Sequence, residues 1–217
     1  PDSWRGATVR MIESDQSMLA LGRTLTPGAS WEHGDLRTRR DPSDVVLLSY
    51  SLKESGADVP VMIEAAWKMS VGALVLIEPG TPAGFAVIHA AREHLVSLGA
   101  RIAAPCPAES ACPLSAPANT NNWCHFAARV ERTSLHRRLK EGALGHEDEK
   151  FSYLIAAKDD PLRCASRVVR HPRHEPGLIA FPVCSADGRL RDVRVTRRDA
   201  RFKAARKLEW GGEWPPA

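Results

Sequence analysis

Residues 105–126 read PCPAESACPLSAPANTNNWCHF and place Cys106, Cys112 and Cys124 within twenty-two positions, with His125 beside the last. The chain has five cysteines in 217 residues, so three in one loop is a concentration that packing does not require. Four outcomes are open: a metal centre, a disulfide, a nucleophilic thiol, or inert buried thiols. The spacing C-x5-C-x11-C matches neither a zinc ribbon nor a bacterial ferredoxin run. Pro105, Pro107, Pro113 and Pro117 favour a stiff, non-helical loop suited to presenting sulfurs inward. No base is identifiable beside a thiol, so the nucleophile has no partner. No secretory signal is visible, and in a reducing compartment clustered cysteines point to metal or redox chemistry. Thiolates ligate iron–sulfur clusters and zinc alike, and a zinc site could also recruit His125.

A second chemistry is cationic. Residues 163–207 carry 13 Arg and Lys against 4 Asp and Glu, whereas residues 1–162 carry 17 against 20. Arg194, Arg197, Arg198, Arg201, Lys203, Arg206 and Lys207 are the densest part. Residues 129–150 read as a charged helix, on which Arg129, Arg132 and His136 recur at i, i+3 and i+7. Such groups hold phosphate backbones without reading bases, which suits RNA. The plainer alternative is a solvated face. No apolar run approaches the roughly twenty residues of a membrane span, so no membrane partner is expected.

What must position these groups is a run of alternating strand and helix signals. TVRMIE (8–13) reads as a strand, followed by a helix capped by Ser14, Asp15 or Ser17 and carrying Met18, Leu21 and Leu25. Val45–Ser49 and residues 72–80 read as strands of the fully buried type, with an amphipathic helix, DVPVMIEAAWKMS, between them. Residues 81–99 form a long helix, and ARIAAP a further strand leading into the cysteine loop. Residues 150–158 read as a strand, and 177–196 as a hairpin turning at Asp187-Gly188. Alternation of this kind predicts a parallel sheet, with ligands beyond the strands' carboxyl ends. Glu13, Ser49, Tyr50 and Glu78 lie at such ends.

VRMIESDQSMLALG resembles the second strand and following helix of class I S-adenosylmethionine-dependent methyltransferases. That resemblance implies that Glu13 takes the place of the acidic residue on the cofactor ribose, where one carboxylate accepts from both hydroxyls. It puts Asp35, in WEHGDLR, near the adenine. It sets Ser49 and Tyr50 after the fourth strand, with Ser49 counted to the pocket. The segments LVLIEPGTPAGF, APCPAESACPL, WCHFAARVERTSLHRRLK, EDEKFSYL and RFKAARKLEWGGEW resemble, in this order, the small-subunit ribosomal methyltransferase-like family. Its members are mitochondrial ribosomal small-subunit assembly factors and bacterial relatives. There, four cysteines bind a [4Fe–4S] cluster; carried over, they are Cys106, Cys112, Cys124 and Cys184, with Cys164 left out.

The expected fold is α/β, class I methyltransferase-like (Rossmann-like). It has a mostly parallel sheet missing its first strand, a Cys-rich insertion and a small C-terminal β extension. No glycine-rich cofactor loop precedes Glu13, and the twelve residues before it hold one glycine, Gly6. The chain is therefore expected to begin just after that loop. The expected parts are a body over 1–104, the cysteine loop and basic helix over 105–149, and a last strand with a basic hairpin over 150–217. No catalytic residue is assignable, because SYSL stands where nitrogen methyltransferases show Asn/Asp-Pro-Pro-aromatic. The resemblance implies a protein of ribosome assembly or translation. Its partners would be small-subunit RNA and proteins, and off the ribosome it would be a monomer. It would be cytoplasmic in bacteria, or mitochondrial in a eukaryote, with S-adenosylmethionine bound by the full-length form. The alternatives are an active rRNA methyltransferase and a zinc-stabilised nucleic-acid-binding module without cofactor.

Overall fold

β1 (Arg10–Glu13) runs through α1 (Gln16–Leu25) to β2 (Ser30–His33), and the two strands pair in parallel. Asp15 caps α1, its carboxylate accepting from the amides of Ser17 (2.8 Å) and Met18 (3.0 Å). β3 (Ser43–Ser49), α2 (Val59–Met69) and β4 (Ser70–Pro79) form a second parallel β-α-β unit. α3 (Pro82–Ser97) then returns the chain to β5 (Arg101–Ala104), and Gly99, at φ +85°, ends the helix in the left-handed region. The computed structural model describes residues 6–53, 58–115, 121–139 and 144–215, apart from the side chains of 135 and 136. Pro117 and the side chain of His136 lie outside the described residues.

β6 (Phe126–Glu131), α4 (Ser134–Leu139) and β7 (His146–Ala157) follow. β7 lies between β4 and β5, antiparallel to both, and β6 pairs along its first half, giving the order β3-β4-β7-β5. The α/β class expected from the sequence is what forms, on two parallel β-α-β units, with the antiparallel ladders of β7 making the main sheet mixed. β1 and β2 stand as a separate sheet, with no ladder to β3 among the described residues. The two sheets meet where Arg10 of β1 donates to Ser43 Oγ of β3 at 3.0 Å.

The main core gathers Leu74, Leu76, Leu154, Ile102, Leu95 and Ile63, each no more than 1% exposed. Three expectations are corrected. Val45–Ser49 is not buried on both faces: Val46 and Leu48 face the core, while Val45 and Leu47 are 40% and 58% exposed, because α2 and α3 cover only one face. Met18, Leu21 and Leu25 of α1 do not enter a core and are more than half exposed; the helix buries Leu19 and Gly22, the latter against the Trp31 ring. Residues 129–150 are not one helix, since Arg129 lies on β6 opposite Asp148 on β7. Backbone pairing to β7, with opposite charges facing across the ladder, outweighs the local helical signal.

Beyond β7 a small lobe follows: β8 (Ser166–Val168), β9 (Arg173–Glu175), β10 (Leu178–Ser185), β11 (Leu190–Thr196), α5 (Phe202–Ala205) and β12 (Glu213–Trp214). Its sheet runs β11-β10-β8-β12, with β9 also on β10, around a core of Val168, Ile179, Phe181, Val183, Val195 and Trp214. The expected hairpin is β10–β11. No helix among the described residues is long and apolar enough to cross a membrane.

Thr81 caps α3, its Oγ1 accepting from Gly84 N at 3.1 Å, and Pro82 opens the helix. Thr81→Ala is expected to cost about 1 kcal/mol in urea denaturation; an unchanged midpoint would show that the cap is idle.

Candidate metal centre

The cysteine loop leaves β5 at Pro105 and rejoins the sheet at Phe126. It is wired to its surroundings through its backbone. Arg92 Nη2, from α3, donates to the carbonyls of Ala108 (3.1 Å) and Ser110 (2.7 Å). Arg167 Nε, from β8, donates to Pro105 O at 3.2 Å, and Ser152 Oγ, from β7, to Cys124 O at 2.8 Å. Glu109 accepts from Ile102 N (2.9 Å) and pairs with Arg163 (2.8 Å). Ser110 Oγ donates to Ala186 O in the β10–β11 turn at 3.3 Å. Gly188 of that turn, at φ +75°, packs so that a Cβ would lie 3.0 Å from Ala111 O, tighter than ordinary contact. The turn therefore closes tightly onto the loop.

This wiring brings distant sulfurs together. Cys106 and Cys112 of the loop and Cys184 of β10 line one small, partly open recess together with Arg92, Ser110 and Gly188. Cys124 adjoins it. Burial pushes its thiol well above the ordinary range, and Cys106, Cys112 and Cys184 each add to the rise. Cys184 is pushed up to about 12, by burial first and then by Cys106 and Cys112, with Arg92 opposing. The Cys106 thiol is raised mainly by burial, against the pull of the Arg92 guanidinium. Without a metal these three thiols are protonated at neutral pH. All five cysteines are free. Among the described residues no three of His, Cys, Asp and Glu converge closely enough for a single metal ion. The thiols thus share a recess without meeting at a point. Cys164 does not line the recess, and its surroundings are set by Arg167 and Glu213. His125 is packed between Trp123 (5.0 Å, stacked) and Trp210 (4.9 Å, edge-on), its Nδ1 hydrogen-bonded to Trp123 O at 3.0 Å.

The residues matched to the cofactor pocket divide between the two sheets. Glu13 and Asp35 come at the ends of neighbouring β1 and β2, tied by Gly34 N donating to Glu13 O at 3.0 Å. The Glu13 carboxylate accepts from Asp15 N at 2.8 Å. Asp35 grips Arg37 through its side chain and amide, which holds its carboxyl below the usual range. Ser49 is exposed at the end of β3 in the other sheet. Tyr50 follows at φ +57°, a left-handed conformation uncommon outside glycine. Its hydroxyl donates to Glu149 at 3.3 Å. Glu78, 1% exposed, accepts from Leu52 N at 3.0 Å.

The cations also divide. Arg129 and Arg132 are held by Asp148 (2.8 Å) and Glu147 (2.7 Å), so neither sits on a free helical stripe. Arg201 pairs with Asp199 at 2.7 Å. Arg194, Arg197, Arg198, Lys203, Arg206 and Lys207 are all exposed and, among the described residues, form no ion pair. Sequence reasoning missed Arg92. The signal was present: with Ile88, Ala91 and Leu95 it occupies the buried face of α3, where a charge needs a partner.

The family model described as mitochondrial small ribosomal subunit Rsm22 matches residues 2–215. The human ribosome assembly protein METTL17, mitochondrial, is 31% identical over 192 residues, covering 79% of this chain and 39% of that protein. Rsm22-cox11 tandem protein 2, mitochondrial, of Schizosaccharomyces pombe is 25% identical over 222 residues, covering 82% and 30%. The chain spans well under half the length of these curated relatives. Solved structures resemble it only loosely. Thermoplasma acidophilum 1320 gives a TM-score of 0.39 at 9% identity, over 69% of this chain and 61% of that one. The magnesium protoporphyrin IX methyltransferase of Synechocystis PCC 6803, with bound SAH, gives 0.33 at 14%, over 71% and 65%. The match from residue 2 to residue 215, which takes in the cysteine loop and the basic lobe together, shows that this chain belongs to the Rsm22 family of the mitochondrial small ribosomal subunit.

Proposed function

We propose that this chain acts in small-subunit ribosome assembly or translation by binding ribosomal RNA through its C-terminal lobe. In this reading Cys106, Cys112, Cys124 and Cys184 hold a [4Fe–4S] cluster that fixes that lobe to the body. The observation that carries the reading is the recess where thiols from the loop and from β10 face one another. The donor set fits the group. It consists of four sulfurs, soft ligands suited to iron–sulfur. Thiolates suit zinc as well, and the choice of a cluster follows the family resemblance. When bound, the cluster would supply a covalent tie between elements far apart in sequence. The chain's own residues do the rest. Arg92, Arg167 and Ser152 hold the loop's carbonyls, and the β10–β11 turn shuts against Ser110.

The exposed cations from Arg194 to Lys207 stand on the lobe that this tie would orient. They would contact phosphates, giving affinity that falls steeply with salt. The similarity to a mitochondrial ribosome assembly protein and to mitochondrial Rsm22-cox11 tandem proteins supports this role and a compartment where ribosomes are built. That compartment is the bacterial cytoplasm, or the mitochondrion in a eukaryote.

Active methylation is the second reading. Glu13 and Asp35, at adjacent parallel strand ends, favour S-adenosylmethionine binding there. Metal and acid-labile sulfide analysis of anaerobically purified protein tests the centre, with about four irons and four sulfides per chain expected. Zinc without sulfide would replace the cluster by the zinc module. RNA binding that does not weaken with salt would overturn the cationic surface. Methyl incorporation into small-subunit RNA would promote the enzyme reading.

A further inference from the structure

A cluster of four thiolates concentrates negative charge in a poorly hydrated place, and something must offset it. Four thiolates bring four negative charges, and a dipositive metal core leaves two uncompensated. Buried charge of this size is costly unless opposite charge lies close by.

Two arginines bear on these sulfurs. Arg92 is 3% exposed and lines it. Its Nη2 is fixed by the carbonyls of Ala108 and Ser110, and its Nη1 contacts the Glu93 carboxylate. Its Nε is buried with no hydrogen-bond partner, an arrangement that native structures seldom leave unexplained. Cys106 lines the same recess and, like Cys184, feels the charge of the guanidinium. Arg170 is half-buried, its Nη2 donating to Trp123 O, next to Cys124 along the loop, at 2.8 Å and also to Asn122 Oδ1. Its charge bears on Cys124. Among the described residues Arg170 pairs with no carboxylate. Glu93 offsets part of the Arg92 charge, but it is half exposed and screened by water, whereas Arg92 is not.

We propose that Arg92, with Arg170 beside the Trp123-Cys124 backbone, is the counter-charge of the cysteine centre: a positioning residue that retains the metal and sets its reduction potential. This rests on the metal centre proposed above. A fixed cation in a poorly hydrated recess favours any state with one more negative charge, so it raises the potential. Guanidinium is suited to the task because its charge does not titrate and its fork can hold two loop carbonyls while facing sulfur. A purely structural Arg92, pinning Ala108 and Ser110, would leave the potential where it is.

The test uses the full chain, purified without oxygen, as wild type, Arg92→Gln, Arg92→Lys and Arg170→Gln. Iron and sulfide are counted first, and circular dichroism confirms folding. The potential is then read by a mediated dithionite titration followed by EPR, and iron release to excess EDTA is timed. Arg92→Gln is expected to shift the potential to a more negative value and to release iron about tenfold faster. Arg92→Lys should stay near wild type on the potential, and Arg170→Gln should shift in the same direction. Equal potentials in wild type, Gln and Lys variants overturn the proposal. If Arg92→Gln does not fold, Arg170→Gln and Arg92→Lys decide it by the same readings. Wild-type protein without iron and sulfide sinks the centre itself, a distinct failure. If zinc is found instead, equal release rates to chelator overturn the role of Arg92.

Discussion

A Cys184→Ser variant, purified without oxygen, is expected to lose nearly all of the roughly four irons and four sulfides per chain. Its thermal midpoint should fall by about 10 °C. Cys184 stands on β10, opposite Leu190 and Arg167, with its neighbours Val183 and Phe181 in the small core. The other three sulfurs come from the loop before β6. A cluster joining them closes a segment of about sixty residues between Cys124 and Cys184. That removes chain freedom from the unfolded state, much as a disulfide would, worth about 4 kcal/mol. For a chain of this size a loss of that magnitude moves the midpoint by roughly 10 °C. A metal-free recess predicts something else. The Cys184 thiol, pushed up to about 12, would be a neutral buried group, and serine would cost only about 1 kcal/mol. Calorimetry with and without metal separates the two. Cys164→Ser is the control: that residue lies beside Arg167 and Glu213, and metal content and midpoint should both hold. Equal iron in wild type and Cys184→Ser would remove Cys184 from the ligand set.

Gly84→Ala is expected to destabilise the chain by about 3 kcal/mol or more, or to prevent folding. A Cβ at Gly84 would stand 2.0 Å from Pro79 O and 3.0 Å from Pro79 C. Both obstacles are backbone, so no rotamer relieves the clash. Either the end of β4 or the first turn of α3 would have to move. That turn is held by Thr81 Oγ1 and by Phe85 N donating to Thr81 O at 2.9 Å. Further along, α3 buries Ile88, Ala91 and Leu95 in the main core. Alanine's better helix propensity returns about 1 kcal/mol, too little to offset the displacement. Gly28→Ala is the comparison, since a Cβ there meets nothing within 4 Å. Chemical denaturation of both variants checks this. A Gly84→Ala midpoint equal to wild type would mean that the β4–α3 junction gives way easily.

The local elements were legible where a segment's own residues decide its conformation. Asp187-Gly188 fixed the hairpin turn, and Gly188 does sit at positive φ. Thr81-Pro82 and Gly99 bracket α3, and Asp15 caps α1, as their side chains and backbone freedom dictate. The prolines of the cysteine loop exclude helix, and Pro105, Pro107 and Pro113 lie in irregular backbone. By itself the sequence thus determined most strands and helices of the body, though not β2 or β6, together with the hairpin, the loop, and the concentration of cations near the C-terminus.

Tertiary structure decided what local pattern could not. Residues 126–131 became a strand because β7 offered them a ladder, and Arg129 met Asp148 across it. Met18, Leu21 and Leu25 carry a helical apolar period but face solvent, because periodicity marks a face and does not say what covers it. Arg92 gained its place only when α3 packed beneath the loop. Cys184 stands sixty residues from Cys124, and no spacing rule links them; the sheet order and the turn at Gly188 bring them together. Local signals act over a few residues through dihedral preference and capping, whereas a site built from separate segments exists only once the chain has closed on itself.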